Sequence, residues 1–432
     1  MKEKYISIKE ALEKKKGKVS LRGWVYRERK FKDKVFIVLR DHSGIIQTVI
    51  HKDKVSEKEW EQAERILIES SVKLHGELVE DPRAPGGVEL RVEKFELVHL
   101  AEPFPITKDK SKEYLYDKRH LWLRSRYLTS ILKIRSTVFR AIREYFWSKG
   151  FYEFHSPSLT PGVAEEGPTL FEVNYFGKKL YLTQTWQLYA EAAIFALEKI
   201  FTIAPSFRAE RSKTSRHLAE YWHAEVEVAW MNMDELMDLA EEMIKHVIRE
   251  VLKHHREDLE FLGRNPKDLE RVLEKKWPRI TYDEALEILE KKGMKVPWGK
   301  DLRTIEEDKL MEDFDTPVFV THYPKEIMAF YKPRDPKNPK VARCFDLIAP
   351  EGYGELIGGS ERDENIDELI KALKKAGENI ENYEFYLDTR RYGSIPHSGF
   401  GMGVERLISW ICKLETIRDA IPFPRTMTRY KP

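Results

Sequence analysis

Five short runs of strand-forming residues between positions 19 and 98 restrict the fold of this chain more than any other feature. The runs are rich in Val, Ile and Leu, and an Asp-His-Ser-Gly turn at 41–44 joins the second run to the third. A polar helical stretch at 56–70 follows the third run. Five strands with a helix after the third are typical of an OB-fold β-barrel, whose open face commonly holds single-stranded nucleic acid. A barrel without a ligand fits the same pattern about equally well.

The remaining residues predict a second domain of mixed helices and strands. A polar, proline-containing stretch at 101–129 is interpreted as a linker or hinge between the barrel, 1–100, and this domain, 130–432. An amphipathic helix is predicted at 130–149, and strands and helices then mix without the regular alternation of a parallel sheet. Charged helical segments near 233–342 are interpreted as an insertion or outer layer. The predicted class is therefore α+β, with an antiparallel sheet flanked by helices.

Composition limits the kinds of partner and compartment. The 432 residues include 75 Lys and Arg against 73 Asp and Glu, a net charge of +2, so any nucleic-acid surface must be local. Two cysteines exclude a disulfide scaffold and a cysteine-rich zinc site, and they suit a reducing compartment. No apolar run approaches the roughly 20 residues that a bilayer span needs. We expect a cytoplasmic protein without membrane segments.

Two segments carry the charges and glycines of a candidate active site. At 206–227, Arg208 and Glu210 alternate with apolar residues, and Glu225 and Glu227 return on a following strand. Such a face suits a polyphosphate, although a solvated lattice of salt bridges is the competing interpretation. Near the C-terminus, Gly-x-Gly-x-Gly at 399–403 is followed by Glu-Arg, a pattern unlike nucleotide-binding Rossmann or P-loop motifs.

Taken in order, these motifs resemble the three signatures of class II aminoacyl-tRNA synthetases. They are Phe-Arg-Ala-Glu at 207–210 with Arg-His-Leu-x-Glu at 216–220, Gly-x-Gly-x-Gly-x-Glu-Arg at 399–406, and a long helix leading to Pro157. With Gly-Trp-Val at 23–25 and Leu-Arg-Asp at 39–41 in the barrel, the chain is similar to the aspartate, asparagine and lysine subgroup, nearest to archaeal-type asparagine enzymes. The resemblance implies a class II synthetase catalytic domain, an anticodon-binding barrel, and a homodimer whose interface includes the helix 130–149.

By the same resemblance, ATP is consumed to form an aminoacyl-adenylate, and the acyl group passes to the 3′ end of tRNA. Arg208 and Arg406 are then the catalytic residues, aligning the phosphates and stabilising their charge. The implied ATP-binding residues are Arg208, Glu210, Arg216, His217, Tyr221, Glu355 and Arg406. Asp346 and Glu355 match the Mg²⁺ ligands of the family, whereas Gly358 stands where aspartate enzymes often have a further serine ligand.

The amino-acid pocket predicts asparagine. The stretch Gln-Thr-Trp-Gln-Leu-Tyr-Ala-Glu at 184–191 has Ala190 where aspartate enzymes place a lysine on the substrate carboxylate. The charges of Arg362 and Glu225 cancel, which suits an amide: Arg362 can donate to its carbonyl oxygen, and Glu225 can accept from its nitrogen directly or through water. Aspartate would instead meet a repulsion on the order of 4 kcal/mol at about 4 Å from Glu225. The implied amino-acid-binding residues, of which Glu165 and Gln187 hold the α-amino group, are Glu165, Gln187, Ala190, Arg208, Glu225 and Arg362. The expected substrates are L-asparagine and the asparagine-specific tRNA.

Four barrel residues match anticodon contacts of the family. Phe36 and Gln47 would stack on and hydrogen-bond the central U, Arg29 would contact the backbone, and Glu89 is a weaker match for the first base. The simpler interpretations are that Phe36 is a core aromatic residue and that Gln47 is an ordinary strand residue.

Three other functions stay open from the sequence. One is an aspartate-tRNA ligase, including one that also charges the asparagine tRNA. Another is a paralogue that makes free asparagine, which the intact barrel disfavours. The third is a non-catalytic tRNA-binding paralogue, which the presence of Arg208, Glu355 and Arg406 disfavours.

Overall fold

The computed structural model describes residues 4–162, 170–209 and 216–432. The chain divides into two compact units, Met1–Leu115 and Tyr116–Pro432. Within these described ranges, no helix is long and apolar enough to span a membrane.

The first unit is a closed five-stranded barrel, as predicted. The strand order is β1-β2-β3-β5-β4. The strands are β1 (Gly17–Lys30), β2 (Lys34–Arg40), β3 (Ile45–His51), β4 (Ser71–Glu80) and β5 (Val88–His99), and the helices are α1 (Ile8–Lys14) and α2 (Glu57–Glu64). Alternate residues of β2 are fully buried, namely Val35, Ile37 and Leu39. Helix α2 begins at a Ser56–Glu59 capping box and packs Trp60 into the same core.

The second unit is built on an eight-stranded sheet with the order β12-β13-β14-β15-β16-β11-β10-β6. Adjacent strands are antiparallel except for the parallel pairs β12–β13 and β10–β6 near the edges, which confirms the predicted antiparallel sheet. A second sheet has the order β7-β9-β8. The strands are β6 (Tyr152–Glu153), β7 (Leu159–Thr160), β8 (Glu172–Tyr175), β9 (Lys178–Leu182), β10 (Lys199–Phe207), β11 (Glu220–Ala229), β12 (Arg279–Thr281), β13 (Val318–Thr321), β14 (Cys344–Ala349), β15 (Gly354–Glu361) and β16 (His397–Gly403).

Helices cover this sheet. They are α3 (Lys112–Asp117), α4 (Arg119–Trp122), α5 (Arg126–Ser148), α6 (Gln187–Leu197), α7 (Met233–Phe261), α8 (Pro266–Glu274), α9 (Tyr282–Lys291), α10 (Thr304–Leu310), α11 (Ile366–Lys375), α12 (Glu384–Arg391) and α13 (Val404–Cys412). Helix α5 begins four residues before the predicted start because the Ser125 side chain caps it at the backbone N–H of Leu128. Its apolar stripe is buried and packs against α7.

Two regions differ from the expected organisation. The range 233–342 is not only a helical layer, since β12 and β13 extend the central sheet; strands of three and four residues are too short to show a clear period. The expected linker 101–129 contains α3, α4 and the start of α5. Arg119 in this stretch is fully buried, and its guanidinium donates to Asp419 and to the carbonyl of Pro422.

Candidate active site

Strands β11, β15 and β16 form the floor of the site, and their register decides which side chains share it. Glu225 lies opposite Gly401, and Glu227 opposite Gly399. A β-carbon on Gly399 would come within 2.6 Å of Arg362 Nη2. The alternating glycines of β16 therefore make room for charged groups of the neighbouring strands.

Above this floor lies a cavity of about 670 Å³. It brings together six of the predicted site residues, drawn from α6 and from the central strands or the residues next to them. They are Gln187, Arg208, Glu225, Asp346, Glu355 and Arg362. Glu165 and Glu210, the other two carboxylates predicted to bind substrate, lie outside the described residues.

At the inner end of the cavity, Arg362 pairs with Glu227. Arg362 Nε and Nη2 donate to the two oxygens of Glu227 at 2.8 and 2.9 Å, and Nη1 donates to Ser360 Oγ at 2.8 Å. Burial disfavours the charged guanidinium, but Glu227 more than compensates and raises the pKa of Arg362. The cation at this end is therefore permanent, and its charge is already neutralised by the protein.

The glutamate that binds Arg362 is Glu227 and not Glu225, the glutamate whose charge was counted against Arg362 in the sequence. The Glu225 carboxylate accepts the backbone N–H of Trp186 at 2.9 Å and the hydroxyl of Thr185. Both glutamates face the cavity because they are two residues apart on one strand. The segment that enters α6 covers Glu225, whereas Glu227 lies beside Arg362.

Ala190 does not line the cavity. It is fully buried in a small apolar cluster, and the other buried members are Trp186, Ile194, Ile200 and Ala229. Its side chain therefore makes no contact with a ligand in the cavity. Its effect on the pocket is that no lysine ammonium group is present at this position.

The described residues predicted to bind ATP come from three parts of the second unit. Arg208, Arg216, His217 and Tyr221 lie near the end of β10 or the start of β11, whereas Glu355 lies on β15 and Arg406 on α13. The Arg208 guanidinium lies 5.6 Å from the centre of the Tyr221 ring. Arg216 donates through Nη2 to both oxygens of Asp308 at 3.0 Å, and Arg406 donates to the backbone carbonyl of Glu355. His217 is half-buried just before β11 and does not line the cavity.

Asp346 and Glu355 lie on neighbouring strands at the wall of the cavity. A β-carbon on Gly358 would be 3.1 Å from Glu355 Oε1 and 3.6 Å from Asp346 Oδ1, so both carboxylates flank one point. Burial and the charge of Glu355 raise the pKa of Asp346 well above its usual range. Two half-buried carboxylates that flank one point are a costly arrangement that a divalent cation would relieve.

Two further carboxylates near this pair were not predicted. Asp301 lines the cavity, and burial together with Glu355 raises its pKa. Burial and Glu355 also raise the pKa of Glu307, on α10, to about 7. Both residues lie in the range interpreted as an outer layer, and their only sequence signal is charge, which is common on solvated helices.

On the barrel, the four predicted anticodon residues form one row across adjacent strands. Arg29 pairs with Phe36 across β1 and β2, and Gln47 pairs with Glu89 across β3 and β5. Gln47 lies opposite Val38, two residues from Phe36, so all four side chains share a face. Gln47 Nε2 donates to Glu89 Oε2 at 2.6 Å. Phe31, which was not predicted, adds a half-exposed ring 5.9 Å from that of Phe36.

Comparison with known proteins decides the family. A family model described as tRNA synthetases class II (D, K and N) matches residues 111–427, and one for the OB-fold nucleic acid binding domain matches 19–98. The chain belongs to the class II tRNA synthetases of the aspartate, lysine and asparagine group. The resemblance of the motifs is thereby confirmed.

Relatives of this synthetase span nearly its whole length. It is 48% identical to the asparagine–tRNA ligase of Thermoplasma acidophilum, over 96% of this chain and 97% of that one. The asparagine–tRNA ligase of Lactobacillus gasseri is 42% identical over 99% of both chains. The crystal structure of asparaginyl-tRNA synthetase from Pyrococcus horikoshii, complexed with asparaginyl-adenylate, superposes with a TM-score of 0.96 at 44% identity, over 99% of this synthetase and 100% of that chain.

Proposed function

We propose that this protein activates L-asparagine with ATP to asparaginyl-adenylate and transfers the asparaginyl group to the 3′ end of the asparagine-specific tRNA. The observation that carries this proposal is the neutralised Arg362 at the inner end of the cavity. Asparagine, the amino acid predicted from the sequence, also appears in the names of the relatives from Thermoplasma and Lactobacillus, which are asparagine–tRNA ligases.

The selectivity follows from the donors that remain on Arg362. A guanidinium has five N–H groups, and Glu227 and Ser360 accept three of them. The remaining two can donate to the side-chain carbonyl of asparagine. A carboxylate in the same place would add an anion beside Glu227, whose charge already balances that of Arg362, at a cost on the order of 4 kcal/mol for a separation of about 4 Å. The pocket therefore favours the amide.

The chemistry needs alignment rather than a covalent protein intermediate. The carboxylate of asparagine attacks the α-phosphorus of ATP, and the bond to pyrophosphate breaks. A ribose hydroxyl at the end of tRNA then attacks the carbonyl of the adenylate, and AMP leaves. Arg208, at the cavity wall, would hold the α-phosphate and the substrate carboxylate together, and Arg406 would bind the outer phosphates.

Asp346 and Glu355 fit a Mg²⁺ ion by their oxygen chemistry and by their shared position around Gly358. When bound, the ion would neutralise part of the triphosphate charge. Gly358 supplies no side-chain oxygen, so the protein ligands would be the two carboxylates.

The row on the barrel would read the anticodon. The half-buried ring of Phe36 suits a stacked base. Gln47, whose Nε2 donates to Glu89, still offers its carbonyl oxygen to the N3–H of uracil. A cytoplasmic location suits the two buried, reduced cysteines.

Homodimerisation through helix 130–149 and Pro157 remains a prediction. The apolar stripe of α5 is already buried in its own chain, so an interface there would use exposed rings such as Trp147. Sedimentation of the purified protein at micromolar concentration tests it.

The decisive experiment is ATP–pyrophosphate exchange with each amino acid, followed by charging of asparagine and aspartate tRNAs. We expect exchange with asparagine at least a hundredfold above that with aspartate. Preferential exchange with aspartate would make the protein an aspartate-tRNA ligase. Free asparagine formed from aspartate and ammonia would make it a synthetase paralogue, and no exchange with either amino acid would make it non-catalytic.

A further inference from the structure

Glu191 is a fully buried carboxylate directly behind the amino-acid cavity. It lies one turn after Gln187 on α6. Its Oε2 accepts Gln187 Nε2 at 2.9 Å. Its Oε1 accepts three groups from the C-terminal part of the chain: Arg390 Nη2 at 2.7 Å, His397 Nε2 at 2.8 Å and Tyr386 Oη at 3.2 Å. Oε2 of Glu191 thus faces Gln187 and the cavity, whereas Oε1 faces the buried side chains of Arg390 and His397.

The carboxylate is ionised in this setting. Burial opposes its charge, but Arg390 and His397 outweigh burial and hold the pKa of Glu191 below its usual range. An ionised carboxylate only accepts hydrogen bonds, so the group that Gln187 turns toward Glu191 must be its NH₂.

Because Nε2 of Gln187 donates to Glu191, Oε1 of the same amide must point away from Glu191. Gln187 lines the cavity, and its Oε1 receives no hydrogen bond from any described residue. We propose that Glu191 is a positioning residue that orients the amide of Gln187, so that Oε1 faces the cavity and accepts a hydrogen bond from the α-ammonium group of the amino-acid substrate. This inference rests on the proposed function, because it takes asparagine as the ligand.

The charge of Glu191 is what makes the orientation unique. In a Glu191→Gln variant, the new carbonyl oxygen would turn toward Arg390 and His397, which both donate. The new NH₂ would then face Gln187 and oppose its Nε2, so the Gln187 amide would flip. A flipped amide presents donors to an ammonium group, which is a repulsive contact.

A metal site is the competing interpretation of this cluster. Ligand atoms of Glu191, Glu227 and His397 lie within 4.8 Å of one another. Arg390 and Arg362 already donate to the two carboxylates, and they place two permanent cations where an ion would have to enter. The geometry therefore favours positioning over metal binding.

The test compares two ligands that differ only in the α-amino group. Wild type and Glu191→Gln are assayed by ATP–pyrophosphate exchange for the KM of asparagine, and for inhibition by succinamate, which is asparagine without that group. We expect the KM of asparagine to rise about tenfold to a hundredfold, whereas the Ki of succinamate and the KM of ATP change less than about threefold. Equal losses for both ligands would mean that Glu191 only supports the fold, and the inference would be overturned.

Tyr386→Phe is the matched control, because it removes a donor to the distant oxygen of Glu191 and leaves Oε2 with Gln187. We expect it to keep the KM of asparagine within about threefold of wild type. A double-mutant cycle adds an independent readout: Glu191→Gln placed on Gln187→Leu should add almost nothing to the KM of the single Gln187 variant. Additive losses would contradict the inference. If wild type itself gave no exchange with asparagine, the proposed function would fail first.

Discussion

Gly399 lies against the carboxylate of Glu227 so closely that a β-carbon on this glycine would overlap Glu227 Oε2 and the backbone carbonyl oxygen of Val226. The neighbouring Arg362 Nη2 would be 2.6 Å away. The ion pair that neutralises the inner end of the cavity therefore depends on the absence of a side chain on the next strand. Shape and charge of the pocket are coupled through one glycine.

Gly399→Ala should displace the Arg362–Glu227 pair. We expect kcat/KM for asparagine in pyrophosphate exchange to fall at least tenfold, with a loss of about 1–3 kcal/mol in unfolding free energy from the overpacked contact. Gly403→Ala on the same strand is the control, since its β-carbon would be 3.9 Å from Arg406, an ordinary contact. Similar losses in both variants would show that strand β16 merely tolerates no alanine.

Glu227→Gln should weaken the preference for asparagine. The amide keeps the shape of Glu227 but leaves Arg362 as an uncompensated cation, which attracts the side-chain carboxylate of aspartate. We expect the ratio of kcat/KM for asparagine to that for aspartate to fall at least tenfold in pyrophosphate exchange. Glu225→Gln should change this ratio less, because Trp186 and Thr185 already donate to Glu225. A larger shift in Glu225→Gln would restore Glu225 as the glutamate that sets the preference, as the charge count from the sequence predicts.

The choice between Glu225 and Glu227 as the glutamate that balances Arg362 shows what the sequence leaves undetermined. The barrel and the antiparallel sheet are predictable, because alternation and turn residues are local and because Gly-x-Gly-x-Gly requires close strand neighbours. Glu225 and Glu227 obey the same alternation, so local pattern places both in the cavity and cannot choose between them. Which glutamate binds Arg362 depends on tertiary structure: the segment that enters α6 covers Glu225, and Gly399 makes room beside Glu227. Asp301 and Glu307 were missed for a similar reason, since a loop and a short helix reach the site only through tertiary packing.

Phe36→Ala and Gln47→Ala should separate tRNA recognition from amino-acid activation. Loss of a stacked base costs about 1–3 kcal/mol, so kcat/KM for tRNA charging should fall about fivefold to a hundredfold in Phe36→Ala. Gln47→Ala should lose about threefold to tenfold. Pyrophosphate exchange should stay within twofold of wild type in both. Lys18→Ala, on an exposed barrel pair with Glu93, controls for truncation of a barrel side chain outside this row. If exchange fell together with charging, the barrel row would have no separate role.

Glu307 should make the ligand-free protein less stable as the pH rises. Its pKa in the folded chain is about 7, raised by burial and by Glu355 from an ordinary value of 4.5. The folded state therefore binds more protons than the unfolded state between these values, and stability is lost as the carboxyl ionises. From pH 6 to pH 8 we expect a loss of about 1 kcal/mol in urea unfolding followed by tryptophan fluorescence, which Glu307→Gln removes. Glu312→Gln, on an exposed carboxylate paired with Lys309, should keep the wild-type slope. An unchanged slope in Glu307→Gln would show that other groups set this pH dependence.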